Sequence, residues 1–244
     1  MAFSQKLNNL WNTALAWVAD ICFPDPDEAA LRAWLSARKG MRWHIPFLHE
    51  KGQPNIPILA LFPYRDPVMK KAVRKLKYRG NVTVARLCAE ALIPLVSAVA
   101  SEQSRRHGSR EICIIPIPSF KAKMRKKGFN QSFLLADCLL KAWADNQKDK
   151  WKDGHVSFIK VAVRKDVLMK IKDTKAQVEV KDRRKRLSNL KDCFAVRNGL
   201  EGIIHKASII LIDDVTTTGT TFREGAIVLA KAGAASVTCI ALAH

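Results

Sequence analysis

"ASIILIDDVTTTGTTFREG", Ala207 to Gly225, is the stretch on which the fold turns. Ile209 to Ile212 form the unbroken apolar run that a strand buried on both faces requires. The run ends at two adjacent carboxylates, Asp213 and Asp214, followed by Val215, Thr216, Thr217, Thr218, Gly219, Thr220 and Thr221. In open α/β sheets, ligands bind beyond the carboxyl ends of the strands. Neighbouring carboxylates repel, so their juxtaposition calls for hydrogen-bond donors, and the two hydroxyls of a ribose diol are such donors. The threonine–glycine run lets the backbone curl, so that successive N–H groups point into one concavity. That concavity opens a helix expected over 220–232, whose N-terminal partial charge favours an anion. A diol clamp beside a phosphate cradle describes a ribose 5-phosphate site. Taken singly, an acid at a helix start is a cap and a Thr/Gly run is a loop; the order of the residues carries the reading. A receiver-type acidic pocket needs a third Asp at another strand end, but the apolar stretch 111–118 closes on Ile-Pro-Ile-Pro. The glycine spacings of a P-loop or a dinucleotide fingerprint are absent.

Strands and helices alternate on either side of this stretch. Downstream, the helix ends at Gly233 and a strand is expected over 235–242. Upstream, "ILALFPYRDPVMKKAVRKLKYRG" reads as a short strand and a helix capped near Asp66-Pro67 and closed by Gly80. A second helix is expected over 81–99, with Pro94 bending or dividing it. "EICIIPIP" (111–118) is a short buried strand, and the next helix begins near Asn130. A strand near 157–163 leads into a polar stretch, 164–182, expected as a long loop. A basic helix over 182–190 and a short strand around Phe194 follow. This alternation predicts an α/β domain built on a mostly parallel sheet. Residues 1–56 read differently. Leu7, Leu10, Trp11, Ala14, Leu15, Trp17, Val18 and Ile21 mark an amphipathic helix over 5–21. A second helix starts at Pro26 behind Asp25 and stops at Gly40, and a proline-rich connector (Pro46, Pro54, Pro57) leads to the main domain, 57–244.

The chain of 244 residues is 48% hydrophobic and 26% charged, an ordinary globular composition. Its charge is not ordinary: 42 Lys+Arg against 22 Asp+Glu give a net +20, which favours polyanionic partners. Three segments concentrate it. Residues 68–89 carry seven Lys/Arg and no acid, 119–131 carry five and no acid, and 160–191 carry twelve against four acids. Such runs are commonly solvated faces; with Tyr64, Tyr78, Phe120 and Phe129 nearby they also suit single-stranded nucleic acid. The six cysteines form no CxxC pair and sit mostly in apolar runs, as small buried hydrophobes in a reducing, cytoplasmic setting. His44, His49 and His107 have no metal-ligand spacing. No secretory signal is readable at the N-terminus, and no transmembrane helix is expected.

Four ordered motifs carry a family resemblance over about 57–244. "IILIDDVTTTGTT" is similar to the phosphoribosyl pyrophosphate (PRPP) motif of type I phosphoribosyltransferases. "YRDPVMKKAVRKLKYRGN", "IPIPSFKAKMRKKGFNQSFLLA" and "LMKIKDTKAQVEVKDRRKRLSNLKDCF" resemble segments of the competence-associated ComF/GntX branch. The resemblance implies an open, mostly parallel sheet with helices on both faces and a helical N-terminal appendage. Family members commonly carry an N-terminal zinc ribbon. Here only Cys22 lies in that region, so residues 1–56 are expected as a helical extension in its place, without zinc.

Residue by residue, the resemblance implies ribose contacts at Asp213 and Asp214 and 5-phosphate contacts from Val215 and Thr216 through Thr217, Thr218, Gly219 and Thr220. The pyrophosphate would lie near Pro118 and Ser119, with Lys121 and Arg125 as charge partners. Lys170 stands where the family usually has Arg, which keeps the charge and loses the planar fork. Thr174 and Gln177 lie in the stretch 164–182 that matches the loop closing over the site in the enzymes, and Arg186 and Asn189 follow it. Mg²⁺ would be held through PRPP, not directly by protein. Three readings follow: a phosphoribosyltransferase whose acceptor the sequence does not identify, a non-catalytic protein handling single-stranded DNA in competence and DNA uptake, and a PRPP-sensing regulator.

Overall fold

The computed structural model describes residues 26–37, 43–44, 56–152, 159–172 and 192–244. The elements in chain order are α1 (Pro26–Ala37), β1 (Trp43–His44), β2 (Ile58–Phe62), α2 (Pro67–Arg79), α3 (Val82–His107), β3 (Glu111–Pro116), α4 (Lys121–Lys127), α5 (Gln131–Lys152), β4 (Lys160–Val163), β5 (Leu168–Lys170), β6 (Phe194–Val196), α6 (Glu201–Ile204), β7 (Ser208–Val215), α7 (Thr220–Lys231) and β8 (Ser236–Ala243). The expected helix over 5–21, the stop signal Gly40 of the helix that starts at Pro26, and the basic helix over 182–190 lie outside the described residues.

The main sheet has the order β1-β2-β8-β7-β3-β4. β2 through β4 pair in parallel, and the two-residue β1 adds antiparallel at the edge. This is the open, mostly parallel α/β sheet read from the sequence. β7 is interior, pairing with β3 on one side and β8 on the other. Its apolar run serves both faces. Ile210 and Ile212 enter a core built with α1, α2, α3 and α5, whereas Ile209 and Leu211 enter a second core under α7 and the β5–β6 ribbon. Each such side chain, fully buried, stabilises the fold by ~1.5–3 kcal/mol. α1 joins the first core through Leu31, and Trp34 packs on Phe62 of β2, ring centroids 4.9 Å apart.

Local signals account for several boundaries. Asp66 caps α2, its Oδ1 accepting from the Val68 N–H at 2.9 Å, with Pro67 at the first helical position and Gly80 at the end. α3 departs from expectation. It runs unbroken past Pro94 to His107. Pro94 is exposed, and Leu92, Ile93, Leu95 and Val96 on either side are buried, so their packing offsets the ~3 kcal/mol that an interior proline costs. Its last turns are polar, which hid them from a hydrophobic pattern. Among the described residues α3 is also the one helix long and apolar enough to cross a membrane, but its apolar side chains cover the sheet.

Two further corrections concern short elements. The basic run after Phe120 forms the seven-residue α4, where no helix was expected before Asn130. The stretch 164–182 is not loop throughout: Leu168–Lys170 pairs antiparallel with Phe194–Val196, burying Leu168 and Phe194. A three-residue strand is too short to show a period, and its partner lies far along the chain. Cys88, Cys113, Cys138, Cys193 and Cys239 are free and buried, and burial pushes the Cys88 and Cys113 thiols up to about 12, so they pack as apolar groups.

Candidate functional site

The acid pair belongs to β7 itself, which extends to Val215. The strict facing of side chains ends here. Val215 packs against the same core as Ile210 and Ile212, although its odd position would place it with Ile209 and Leu211. Both acids accordingly find partners on the α2 and α5 side. Asp213 Oδ1 accepts from Ser132 Oγ at 2.6 Å, from the first turns of α5, and from the Asp214 N–H at 2.9 Å. Asp214 is 2% exposed, and its Oδ2 lies 3.4 Å from Lys77 Nζ in the last turn of α2. That oxygen has no hydrogen-bond partner among the described residues, so the ion pair is long and imperfectly aligned.

Electrostatics follow from this packing. Burial and the Asp214 carboxylate push Asp213 up to about 8, against the pull of Ser132 and Lys77. Burial alone would lower Lys77, but Asp214 and Asp213 outweigh it and hold its ammonium raised. Lys127, the last residue of α4, is lowered by burial and by Lys77, and feels Asp214 as a counter-charge. Its ammonium sits 4.8 Å from the Phe129 ring centroid and 5.9 Å from that of Tyr78, and donates to Gln131 Oε1 at 3.1 Å.

Three segments quoted separately from the sequence thus meet at one place: Lys77-Tyr78 from the first, Lys127 to Ser132 from the second, and Asp213-Asp214 from the third. Asn130 ties the second to the sheet. Its side-chain nitrogen donates to the Ile117 carbonyl at 3.0 Å, and its Oδ1 accepts from the Ser132 N–H at 2.9 Å. The Ile117 N–H in turn donates to the Ile212 carbonyl at 2.9 Å, which sets the exit of β3 directly beside β7. Pro118, buried, and Ser119 lie at that exit, followed by exposed Lys121 and Arg125 on α4.

The turn after β7 has a defined form. Gly219 takes a left-handed φ of 75° immediately before α7, a conformation that a side chain would oppose. The Thr218 and Thr220 hydroxyls share a 2.8 Å hydrogen bond. The Thr216 N–H is spent on the Ala243 carbonyl of β8 at 3.0 Å, whereas the N–H groups of Thr218 and Gly219 have no acceptor among the described residues. Thr216 and Thr220 are buried and Thr217 is exposed. Lys170 lies apart on β5, its ammonium 5.9 Å from the Phe194 ring. Thr174, Gln177 and Arg186 are outside the described residues. Lys77, Lys127, Asn130 and Ser132 were not singled out from the sequence, although each falls within a quoted segment.

The chain is similar in sequence to competence proteins. Over 186 residues the chain is 30% identical to "Competence protein ComFC" of Bacillus subtilis (strain 168), covering 75% of this chain and 62% of that protein. The chain's similarity is to the ComF competence proteins. Over 198 residues it is 25% identical to "Competence protein F" of Haemophilus influenzae, covering 80% of this chain and 76% of that protein. The match therefore spans somewhat under two thirds of the Bacillus relative's length. No family model matches the chain.

Proposed function

We propose that this chain binds PRPP, or a ribose 5-phosphate ligand of the same form, at the exit of β7, and transfers the phosphoribosyl group to an acceptor. The observation that carries the reading is the convergence there of two carboxylates, two N–H groups opening α7 that have no acceptor among the described residues, and two lysines. The ribose hydroxyls would donate to Asp213 and Asp214. The 5-phosphate would take the N–H groups of Thr218 and Gly219 and the threonine hydroxyls, on the positive end of the α7 dipole. The pyrophosphate would lie towards Pro118 and Ser119, within reach of Lys121 and Arg125 for stabilising the leaving group.

Among the described residues no three His, Cys, Asp or Glu side chains come together to hold a metal, and the one close acid pair already has Ser132 and Lys77. These residues fit a magnesium ion carried by ligand oxygens, which would neutralise the charge of the departing pyrophosphate. The chain's own work is orientation and electrostatic stabilisation. Lys77 offsets the acid pair's mutual repulsion, and Ser132 fixes the orientation of Asp213.

Calorimetric titration with PRPP and Mg²⁺, on wild type and on Asp213→Asn/Asp214→Asn, tests this reading. Binding by wild type and its loss in the double variant are expected; equal binding by both removes the assignment of the acids. A second reading rests on charge. The net +20, the exposed Lys70, Arg74 and Arg79 on α2, and relatives that carry competence in their names favour binding of single-stranded DNA across the basic face.

A further inference from the structure

An open depression of about 500 Å³ lies at the carboxyl ends of β2 and β8, lined by Phe62, Pro63, Tyr64, Arg65, Lys70 and His244. We propose that it is the acceptor subsite and that it takes a planar ring bearing a negative charge. The inference rests on the phosphoribosyl reading above and adds to it the class of acceptor.

The first argument is topological. The strand order runs β3, β7, β8, β2. With the ribose at the exit of β7 and the leaving pyrophosphate towards the exit of β3, an in-line displacement at C1 brings the nucleophile from the other side. That side is occupied by the exits of β8 and β2. The depression also shares a wall with the candidate site. The His244 ring nitrogen Nδ1 lies 3.3 Å from the Thr216 carbonyl, where the threonine turn begins. The Tyr64 N–H donates to the His244 carbonyl at 2.6 Å, and the His244 N–H to the Phe62 carbonyl at 3.0 Å, which fixes the two walls to each other. Tyr64 is within electrostatic reach of Lys77, the partner of Asp214.

The second argument is chemical. Phe62, buried, and Pro63 and Tyr64, half-buried, offer apolar surface that suits a flat ring. Arg65 and Lys70 are exposed, and among the described residues no carboxylate lines the depression and neither cation has an ion-pair partner. An acidic substituent directed at them gains charge-assisted hydrogen bonds that a neutral ring cannot make. The volume is within the range of small-molecule sites. In the step this implies, a ring nitrogen of the acceptor forms its bond to C1 as the C1–O bond breaks. The electron pair leaves with the pyrophosphate, and any proton displaced from that nitrogen passes to water.

Matched ring pairs that differ in the carboxylate provide the test: nicotinate against nicotinamide, and orotate against uracil. Each is titrated into the full chain with saturating PRPP and Mg²⁺, using wild type and Arg65→Ala/Lys70→Ala, with PRPP affinity measured separately on both proteins. At least one acid is expected to bind roughly tenfold or more tightly than its neutral partner. That preference should vanish in the double variant while PRPP affinity is retained. If wild type binds PRPP but neither acid, or binds the neutral rings equally well, the acceptor assignment falls and the PRPP reading stands. Retention of the acid preference in the double variant moves the subsite elsewhere and overturns the location. Failure of wild type to bind PRPP removes the underlying reading, and this one with it.

Discussion

Asp214 is where a single residue matters most. A carboxylate 2% exposed with one counter-charge at 3.4 Å depends on that counter-charge. Lys77→Ala is therefore expected to lower the unfolding free energy by ~1–3 kcal/mol. Asp214→Asn in the same background should recover most of the loss, measured by urea denaturation. A neutral Lys77→Ala would mean that solvent already satisfies the acid. Asp213 supplies a pH signature. Its folded value is pushed up to about 8, while an unfolded aspartate titrates at ~3.9. Between these values the native state holds the extra proton, so this residue's contribution to stability falls as pH rises from about 4 and is lost above about 8. Comparing urea midpoints across that range should show a steeper decline in wild type than in Asp213→Asn; parallel curves would contradict the raised value.

Elements are joined at two points that substitution can probe. Asn130 both caps the start of α5 and holds the Ile117 carbonyl, so Asn130→Ala leaves a buried acceptor and an N–H unpaired. A loss of ~1–2 kcal/mol is expected. PRPP affinity should fall as well, because Ser132 loses the anchor that presents it to Asp213; unchanged affinity in calorimetry would show that the α5 start does not position the acid. Gly225 lets α7 lie close on the sheet. A Cβ there would stand 3.2 Å from Leu211 Cδ2 and 3.3 Å from Leu168 Cδ2. Gly225→Val should cost ~1–3 kcal/mol by overpacking, despite valine's better helix propensity, and its thermal midpoint should fall.

At the scale of the whole molecule the distinguishing quantity is charge, net +20. If the second reading holds and this surface tracks single-stranded DNA, binding releases counterions, so log affinity for oligo-dT should fall linearly with log salt. Arg74→Glu/Arg79→Glu, on the exposed face of α2, should weaken that binding roughly tenfold and flatten the slope, as read by fluorescence anisotropy. A salt-independent affinity, or none, would leave the basic face as a solvated surface. The double variant keeps Lys77 and the acid pair, so its PRPP affinity should match wild type.

Residue order alone determined the strand–acid–acid–threonine–glycine–helix sequence of β7 and α7, the caps of α2, and the mostly parallel sheet. Each of these rests on local steric preference or on a hydrophobic period that neighbouring residues reveal. The short elements were not legible: α4 has five Lys/Arg among its seven residues, and β5 acquires strand geometry only from β6. Nor were the partners of the acids. Lys77 and Ser132 reach Asp214 and Asp213 from helices far away in the chain, and only packing against the sheet brings them there. The depression between β2 and β8 is likewise a product of strand order, because strands distant in sequence become neighbours through parallel crossovers that no local pattern specifies.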